Sequence, residues 1–374
     1  ANNSTVNFAA AGNQVVPGIT STDSDDYGNV LISGSGTKTL GQPFNDAYDG
    51  GSGDIDIAGN LTISAGTFDV STNNYNIYLA GNWSNSATFN ARNGTVTLDG
   101  TSGQILTLAA SDLFYDLVVN NSSTGLTTSD DLEVSNTLTM TQGNITMGTD
   151  KLVLGTSTAN VGTLSYTSGN VIGQFERWIN STGSLINFPV GTTSINNLFA
   201  IDFGNLTGGS LITEFVASDP GNTGLPLTED GDDVVDQFTE GYWSVSAANS
   251  LASTAYDIEV KGNGFSSYTI DAETRIIKRL NGSSSWTLDG THVAGANPVA
   301  YRDGLNGIST AHFGLGTVMS CAATTSPITG DALVCVVETG VNYSVNNNPG
   351  YTYTWTITGG TQASGGTTNS ITVD

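Results

Sequence analysis

Two groups of acidic residues have the types and spacing that could bind a metal ion. The first surrounds a glycine-rich stretch and consists of Asp46, Asp49, Asp54 and Asp56. The second consists of Glu229, Asp230, Asp232, Asp233 and Asp236, with Asp230, Asp232 and Asp233 as its predicted ligands. Calcium prefers several oxygen ligands on flexible backbone, although neither group matches an EF-hand loop. Two interpretations therefore stay open, namely Ca²⁺ sites and solvated acidic turns that favour solubility.

No catalytic constellation is recognisable in the sequence. The two histidines, His292 and His312, have no partner at metal-ligand spacing. The stretch Gly307–Ala311 approaches a nucleophile elbow but lacks its second glycine. Phosphate-binding and dinucleotide-binding glycine motifs are also missing. We therefore predict no catalytic and no cofactor-binding residue, and we expect the chain not to be an enzyme.

Paired carboxylates of the kind that hydrolyse glycosides are the most serious catalytic alternative. Asp130, Asp131 and Glu133 form such a cluster, and Asp131 aligns with Asp54 in an internal repeat. A position that recurs along a stack of repeats usually serves the architecture. Residues 1–168 also carry few cations that could attract an acidic polysaccharide, namely Lys38, Arg92 and Lys151. An architectural role is therefore favoured for these aspartates.

Composition excludes several classes of protein. The 374 residues include 9 Lys and Arg and 34 Asp and Glu, which gives a net charge of −25. Nine cationic residues are too few for a surface that binds nucleic acid. No apolar run is long enough to span a membrane. Two cysteines are too few for a disulfide scaffold or a cysteine-rich zinc site. The hydrophobic share of 37% still suffices for a buried core.

The pattern of apolar residues predicts an all-β protein. Short alternating stretches such as Thr95–Leu98 and Leu61–Ile63 recur between clusters of Gly, Asn, Asp and Ser. Apolar residues at helical spacing are nearly absent over any useful length.

An internal repeat predicts how the first strands are arranged. Residues 54–68 align without a gap with residues 131–145, which places Leu61 opposite Leu138. Such short units bury their apolar face by stacking on their neighbours. We therefore predict a parallel β-solenoid over residues 1–168, with Leu61 and Leu138 at matching inward positions. Two antiparallel sandwiches in tandem are the alternative.

Two further domains are predicted from changes in strand length. Longer strands over residues 169–318 indicate a β-sandwich. This sandwich should cap the end of the solenoid and bury Leu152 and Leu164, because an open end exposes unpaired strand edges. Residues 319–374 are short for a complete module, so we expect an immunoglobulin-type domain that continues beyond Asp374 in a longer chain.

Several short sequence segments resemble known protein families. Gly81–Trp83 and Gly94–Gly100 resemble β-helical segments of large secreted surface proteins of Bacteroidota, and Gly241–Val245 resembles the sandwich that often follows them. The stretch Tyr353–Ile357, together with Cys335, is similar to PKD-like modules. The resemblance implies export by the type IX route and a place at the cell surface, where such proteins act in adhesion and gliding motility.

A solenoid in series with sandwich modules and without catalytic residues predicts a non-catalytic structural or adhesive segment that acts as a rigid spacer or display rod. The resemblance implies that this segment belongs to a large bacterial cell-surface protein. Its expected partners are neighbouring modules of the same longer chain, with surface glycans or type IX secretion components as further candidates. The alternative is a carbohydrate-binding or polysaccharide-degrading β-helix protein.

The two cysteines are predicted to form a disulfide. Cys321 and Cys335 both lie in the last module, and the expected surface compartment is oxidising. The alternative interpretation is that Cys335 is a small core residue and that Cys321 lies in a linker.

Overall fold

The protein consists of β-strands, and no helix is present in the residues described. The computed structural model describes residues 4–18, 27–42, 53–110, 112–128, 130–318, 326–331, 334, 338–347 and 352–374. The chain forms two compact units, residues 1–319 and residues 320–374. The prediction of an all-β fold is confirmed.

Fifteen strands form the first part of the chain. In order they are β1 (Thr5–Phe8), β2 (Gln14–Pro17), β3 (Asn29–Ile32), β4 (Thr37–Gly41), β5 (Ile55–Ile57), β6 (Leu61–Ile63), β7 (Thr67–Asp69), β8 (Ile77–Leu79), β9 (Trp83–Asn85), β10 (Thr88–Asn90), β11 (Thr95–Leu98), β12 (Gln104–Thr107), β13 (Leu113–Thr128), β14 (Leu132–Leu154) and β15 (Thr163–Tyr166). The strands β13 and β14 are long because each runs around corners of the fold.

These strands pair in parallel and form three faces of a β-solenoid, as predicted. Face A contains β1, β3, β6, β9 and β12 and continues into β13. Face B contains β2, β4, β7 and β10. Face C runs from β5 through β8, β11, β13 and β14 to β15. The solenoid has about seven turns, and at about 4.8 Å per turn this part is on the order of 35 Å long.

Apolar side chains stack along the inside of each face. On face C the stacked column is fully buried except for its last member and consists of Ile55, Ile77, Val96, Leu117, Leu138 and Leu164. Aromatic rings fill the interior between the faces. The ring centroids of Trp83 and Phe89 lie 4.8 Å apart, and those of Phe89 and Phe114 lie 5.9 Å apart. Burial of these columns holds successive turns together.

The predicted equivalence of Leu61 and Leu138 is wrong in one respect. Both side chains point inward and are fully buried. However, Leu61 lies on face A between Val30 and Trp83, whereas Leu138 lies on face C. Leu61 and Trp83 pair in adjacent turns and are 22 residues apart. The 77 residues between Leu61 and Leu138 therefore correspond to about three and a half turns, and the sequence alignment matches strands of different faces. The alignment arose because the strands of all three faces share one alternating pattern.

Asparagine side chains satisfy backbone groups at one corner of the solenoid. The backbone N–H of Asn60 donates to Asn29 Oδ1, that of Asn82 donates to Asn60 Oδ1, and that of Ile105 donates to Asn82 Oδ1, each at 2.8 Å. Backbone donors at a corner lie outside the strand pairing and need such partners. This asparagine column repeats turn by turn and was not predicted from the sequence.

The turn between β4 and β5 is much longer than the equivalent turn between β7 and β8. Part of it, residues 43–52, lies outside the described residues. The parallel register on both sides is nevertheless regular, with Thr37 opposite Thr67 and Ile55 opposite Ile77. The extra residues therefore leave the stacking of the neighbouring turns unchanged.

Twelve strands form a β-sandwich in the remainder of the first unit. They are β16 (Val171–Ile179), β17 (Ile186–Phe188), β18 (Phe199–Phe203), β19 (Gly209–Val216), β20 (Leu227–Glu229), β21 (Asp232–Gln237), β22 (Tyr242–Ala248), β23 (Tyr256–Lys261), β24 (Arg275–Arg279), β25 (Thr291–Ala296), β26 (Val299–Leu305) and β27 (Ala311–Val318). One sheet has the order β16–β19–β22–β27–β24, with the hairpin β20–β21 alongside β27. The other has the order β17–β18–β23–β26–β25.

The second unit contains a small antiparallel sheet. Its strands are β28 (Val341–Ser344), β29 (Gln362–Ser364) and β30 (Ser370–Val373), with β30 in the middle. Val341 and Ile371 are its buried apolar residues among those described. The indole Nε1 of Trp355 donates to the carbonyl oxygen of Thr368 at 2.9 Å, which ties the preceding segment to this sheet.

The assignment of faces predicts which leucines are energetically coupled. Leu117→Ala and Leu138→Ala should each cost about 2–5 kcal/mol of unfolding free energy, because each opens a cavity in the column. Their double variant should deviate from additivity by about 0.5–3 kcal/mol, since the two side chains stack directly. Urea denaturation of the four proteins measures this coupling.

The pair Leu61 and Leu138 provides the matched comparison. These residues lie on different faces and several turns apart, so their double variant should be additive within about 0.5 kcal/mol. Coupling of Leu61 with Leu138 as strong as that of Leu117 with Leu138 would contradict the observed register.

Candidate functional site: the junction of solenoid and sandwich

Strand β16 belongs to both the solenoid and the sandwich. Its first part pairs in parallel with β14, where Leu152 lies opposite Phe175. Its second part pairs antiparallel with β19, from Phe175 opposite Thr213 to Ile179 opposite Gly209. Backbone hydrogen bonds therefore cross from the last turns of the solenoid into the sandwich without interruption.

A buried polar network lies on this shared strand. The Glu176 side chain is only 4% exposed, and its Oε2 accepts a hydrogen bond of 2.6 Å from Lys151 Nζ of the solenoid. Its Oε1 accepts hydrogen bonds from Ser210 Oγ at 2.6 Å and from Asn249 Nδ2 at 3.1 Å, both in the sandwich. One carboxylate thus joins side chains of both domains.

The charge of this network affects the lysine. The hydrogen bond to Glu176 raises the pKa of Lys151 above its ordinary value, although burial acts in the opposite direction. The lysine ammonium is therefore more strongly retained in the folded protein than in the unfolded chain. The network carries no local signal in the sequence, because its members are 25 to 73 residues apart.

The apolar core also continues through the junction. Leu152 is fully buried and stacks on Phe175, whose ring centroid lies 5.7 Å from that of Phe188 in the sandwich. Leu164 is only partly buried and lines a surface pocket instead. The predicted burial by the sandwich is therefore observed for Leu152 and is incomplete for Leu164.

The first acidic group is only partly described by the structure. Asp46 and Asp49 lie outside the described residues. Asp54 Oδ1 accepts a hydrogen bond of 2.7 Å from the backbone N–H of Asn76 in the next turn. Asp131 Oδ1 likewise accepts a hydrogen bond of 3.0 Å from the backbone N–H of Lys151. These hydrogen bonds between successive turns support an architectural role for Asp54 and Asp131, although the two residues serve different faces.

Asp56 is the other described member of the first group. It lies on β5 with Tyr78 beside it in the next turn. Burial raises the pKa of Tyr78, and the negative charges of Asp54 and Asp56 raise it further. The prediction that these aspartates bind calcium together with Asp46 and Asp49 stays a prediction.

The second acidic group surrounds two buried arginines. Glu229 accepts hydrogen bonds from Arg302 Nη2 at 2.7 Å and Nη1 at 3.1 Å. The same carboxylate lies 3.2 Å from Arg275 Nε, and Asp232 lies 3.6 Å from Arg275 Nη2. The side chains of Arg302 and Arg275 are 0% and 2% exposed. The carboxylates of this group therefore neutralise cations that the fold has taken out of water.

The remaining members of that group are more exposed. Asp230 occupies the turn of the β20–β21 hairpin with a φ of 58°, and Asp233 accepts a hydrogen bond of 2.7 Å from Thr228 Oγ1. Within the described residues, no three His, Cys, Asp or Glu side chains come together as a metal site would require. Calcium binding by Asp230, Asp232 and Asp233 also stays a prediction.

The histidines and one buried aspartate contact groups of the fold. His292 Nε2 lies 2.8 Å from the carbonyl oxygen of Ala272. The ring of His312 packs 4.5 Å from that of Tyr242, and burial, with a contribution from Arg279, lowers the pKa of His312. Burial raises the pKa of Asp112, although the backbone N–H of Ala109 and side chains of the adjoining turn donate to it.

Cys321 and Cys335 lie outside the described residues, so their pairing stays a prediction.

Comparison with known proteins identifies one domain. Residues 321–374 match the family model of a PKD-like domain. Neither a curated protein nor a solved structure matches the chain. A search of the described residues finds no helix of the length and apolarity needed to cross a membrane. A β-solenoid and a PKD-like domain in one chain are compatible with an extracellular structural module.

The buried arginines predict a large effect of one isosteric change. Glu229→Gln should lower the unfolding free energy by about 3–5 kcal/mol, because it leaves the fully buried Arg302 without its carboxylate partner, while Arg275 keeps Asp232 and Glu273. Asp233→Asn in the same hairpin should change it by less than about 0.5 kcal/mol, since that side chain is exposed. Thermal and urea unfolding measure both. A melting temperature that rises in millimolar calcium in the parent protein, but not in Asp233→Asn, would instead assign the cluster to calcium.

The junction network predicts a pH-dependent contribution to stability. Glu176→Gln should cost about 1–2 kcal/mol, because a charged hydrogen bond is lost while Lys151, with a side chain 34% exposed, is still screened by solvent. Because the pKa of Lys151 is raised in the folded state, this contribution is fully present below its ordinary value of 10.5 and is lost as the pH rises through the raised pKa. Urea denaturation from pH 7 to 11 measures the difference.

The partly exposed pair of Glu259 and Lys261, whose charged atoms lie 4.0 Å apart, is the control. Glu259→Gln should change stability by less than about 0.5 kcal/mol at every pH. An equal cost for the two variants, or a cost for Glu176→Gln that does not begin to fall above pH 10.5, would contradict the role of the network.

Proposed function

We propose that this chain is a rigid, non-catalytic spacer segment of a large bacterial cell-surface protein. It works outside the cell and holds neighbouring modules of the same longer chain away from the surface. The observation that supports the proposal most directly is strand β16, through which solenoid and sandwich share one sheet.

A shared strand restricts movement between two domains more than a linker does. Two domains joined by a flexible linker can rotate freely, because few contacts cross the boundary. Here a change of angle would break backbone pairs on both sides of β16 and would separate Glu176 from Lys151 or Ser210. The apolar contact of Phe175 with Phe188 would open as well. The combined cost supports a fixed angle between the two domains.

The remainder of the molecule fits this role. The PKD-like domain supports an extracellular location. A net charge of −25 opposes association between copies of the chain. The resemblance to Bacteroidota surface proteins supports type IX export and a part in adhesion or gliding motility. The carboxylates of Asp54, Asp131, Glu176 and Glu229 all accept hydrogen bonds from groups of the fold, which supports the absence of turnover.

Rigidity can be measured by distances between spin labels on the two domains. Labels at Thr107→Cys of the solenoid and Ser283→Cys of the sandwich, both exposed, should give one narrow distance distribution when Cys321 and Cys335 are replaced by Ser. Glu176→Ala in the same background should broaden the distribution, since it removes the carboxylate that joins both domains. A broad distribution in the parent protein would contradict a rigid spacer.

The catalytic alternative is tested separately. The intact chain should release no product from a panel of acidic and neutral polysaccharides, as followed by reducing-end assay and mass spectrometry. Cleavage of any of them would replace the spacer by a polysaccharide-degrading β-helix protein.

A further inference from the structure

A surface pocket lies where the last solenoid turn meets the beginning of the sandwich. It has a volume of about 460 Å³, within the range typical of sites for small ligands. The segment around β15, the end of β16 and the loop that leads to β17 form its walls. The lining residues that carry the argument are Tyr166, Arg177, Trp178, Asn180, Ser184 and Asn187.

The charge in this pocket is unusual for so acidic a chain. All nine Lys and Arg residues lie within the described part of the protein. Those with a carboxylate within 4.0 Å are Arg92, Lys151, Lys261, Arg275, Lys278 and Arg302. Lys38 is fully buried and donates to backbone carbonyl oxygens, among them those of Ala10 and Gly12 at 3.0 Å. Among the described residues, Arg177 and Arg279 therefore have no carboxylate partner.

Arg177 places an uncompensated positive charge at the pocket. Its Nη1 donates to the carbonyl oxygen of Asn187 at 2.7 Å, while its Nε is buried with no hydrogen-bond partner in the described structure. The guanidinium carbon lies 5.7 Å from the centroid of the Phe188 ring. Burial lowers the pKa of Arg177 to about 10. A guanidinium in such surroundings gains more from an anion than one in water does.

Arg279 is a weaker candidate because protein groups cover its charge. Its guanidinium carbon lies 4.2 Å from the ring centroid of Trp286 and 5.8 Å from that of Tyr242. The pocket beside it also includes the carboxylate of Asp289. By contrast, no carboxylate occurs among the described residues that line the pocket of Arg177.

We propose that the pocket of Arg177 binds a carboxylate-bearing sugar of the uronic acid class. The guanidinium pairs with the sugar carboxylate, as arginine does in charge-assisted recognition of carboxylates. Asn180, Ser184 and Asn187 offer amide and hydroxyl groups to the ring hydroxyls. Tyr166 and Trp178 supply aromatic surface, which suits a ligand with one apolar face. This proposal goes beyond the spacer role and does not depend on it, because a rigid spacer can function with or without a bound glycan.

Titration calorimetry with digalacturonic acid and with its fully methyl-esterified form tests the proposal on the whole chain. The acid should bind, and the ester should bind at least tenfold more weakly because it lacks the charge. Arg177→Gln should weaken binding of the acid at least tenfold, whereas Lys261→Gln, which removes the same charge elsewhere on the sandwich, should leave it unchanged. No binding of the acid, or equal binding of acid and ester, would overturn the proposal.

A second variant guards against loss of folding in Arg177→Gln. Ser184→Asp adds a carboxylate to an exposed lining residue and should abolish binding of the acid without a change in melting temperature. Ser283→Asp, in an exposed turn elsewhere, is the matched control and should bind normally. Undiminished binding by Ser184→Asp would overturn the proposal.

Binding of a short peptide through its free C-terminal carboxylate, but not of digalacturonic acid, would overturn the assignment to sugars. Loss of sugar binding in Arg177→Gln with a narrow spin-label distance distribution would separate this site from the spacer role.

Discussion

The structure depends on parallel backbone pairing between successive turns. Each turn of the solenoid satisfies its N–H and C=O groups with the turns on either side, so no turn is stable by itself. This requirement explains why inward positions stack in columns and why corner donors are satisfied by Asn29, Asn60 and Asn82. It also means that the last turn needs a partner, which strand β16 provides.

At the junction, both the backbone and the side chains of the sandwich provide partners for the last turn of the solenoid. Strand β16 continues the parallel ladder and then begins an antiparallel sheet. On its two faces it carries Phe175 in the core and Glu176 in the polar network. The same strand therefore ends the solenoid, begins the sandwich and holds the two at one angle. The pocket of Arg177 occupies the part of this end where coverage is incomplete, beside the half-buried Leu164.

Much of the fold follows from local pattern, and the contacts between distant residues do not. The alternation around Leu61 and Leu138 was sufficient to predict inward-facing strands of a solenoid. It could not assign their faces, because every face has the same period of two residues. The acidic hairpin was visible in the sequence, but its partner Arg302 lies 73 residues from Glu229 and carries no local signal. Likewise, nothing near Lys151 indicates that Glu176 would approach it, since only the sheet through β16 brings them together.

The long turn between β4 and β5 indicates where this sequence tolerates insertions during evolution. Pairing at Thr37 with Thr67 and at Ile55 with Ile77 is maintained on both sides of it. The pitch of the solenoid is therefore set by its strands and is insensitive to what a corner contains. Corners can gain or lose sequence, and with it new chemistry at the surface, while the stack beneath them stays the same. Variation among descendants of this chain should accordingly concentrate at corners, with insertions there and substitutions of matching size within the columns.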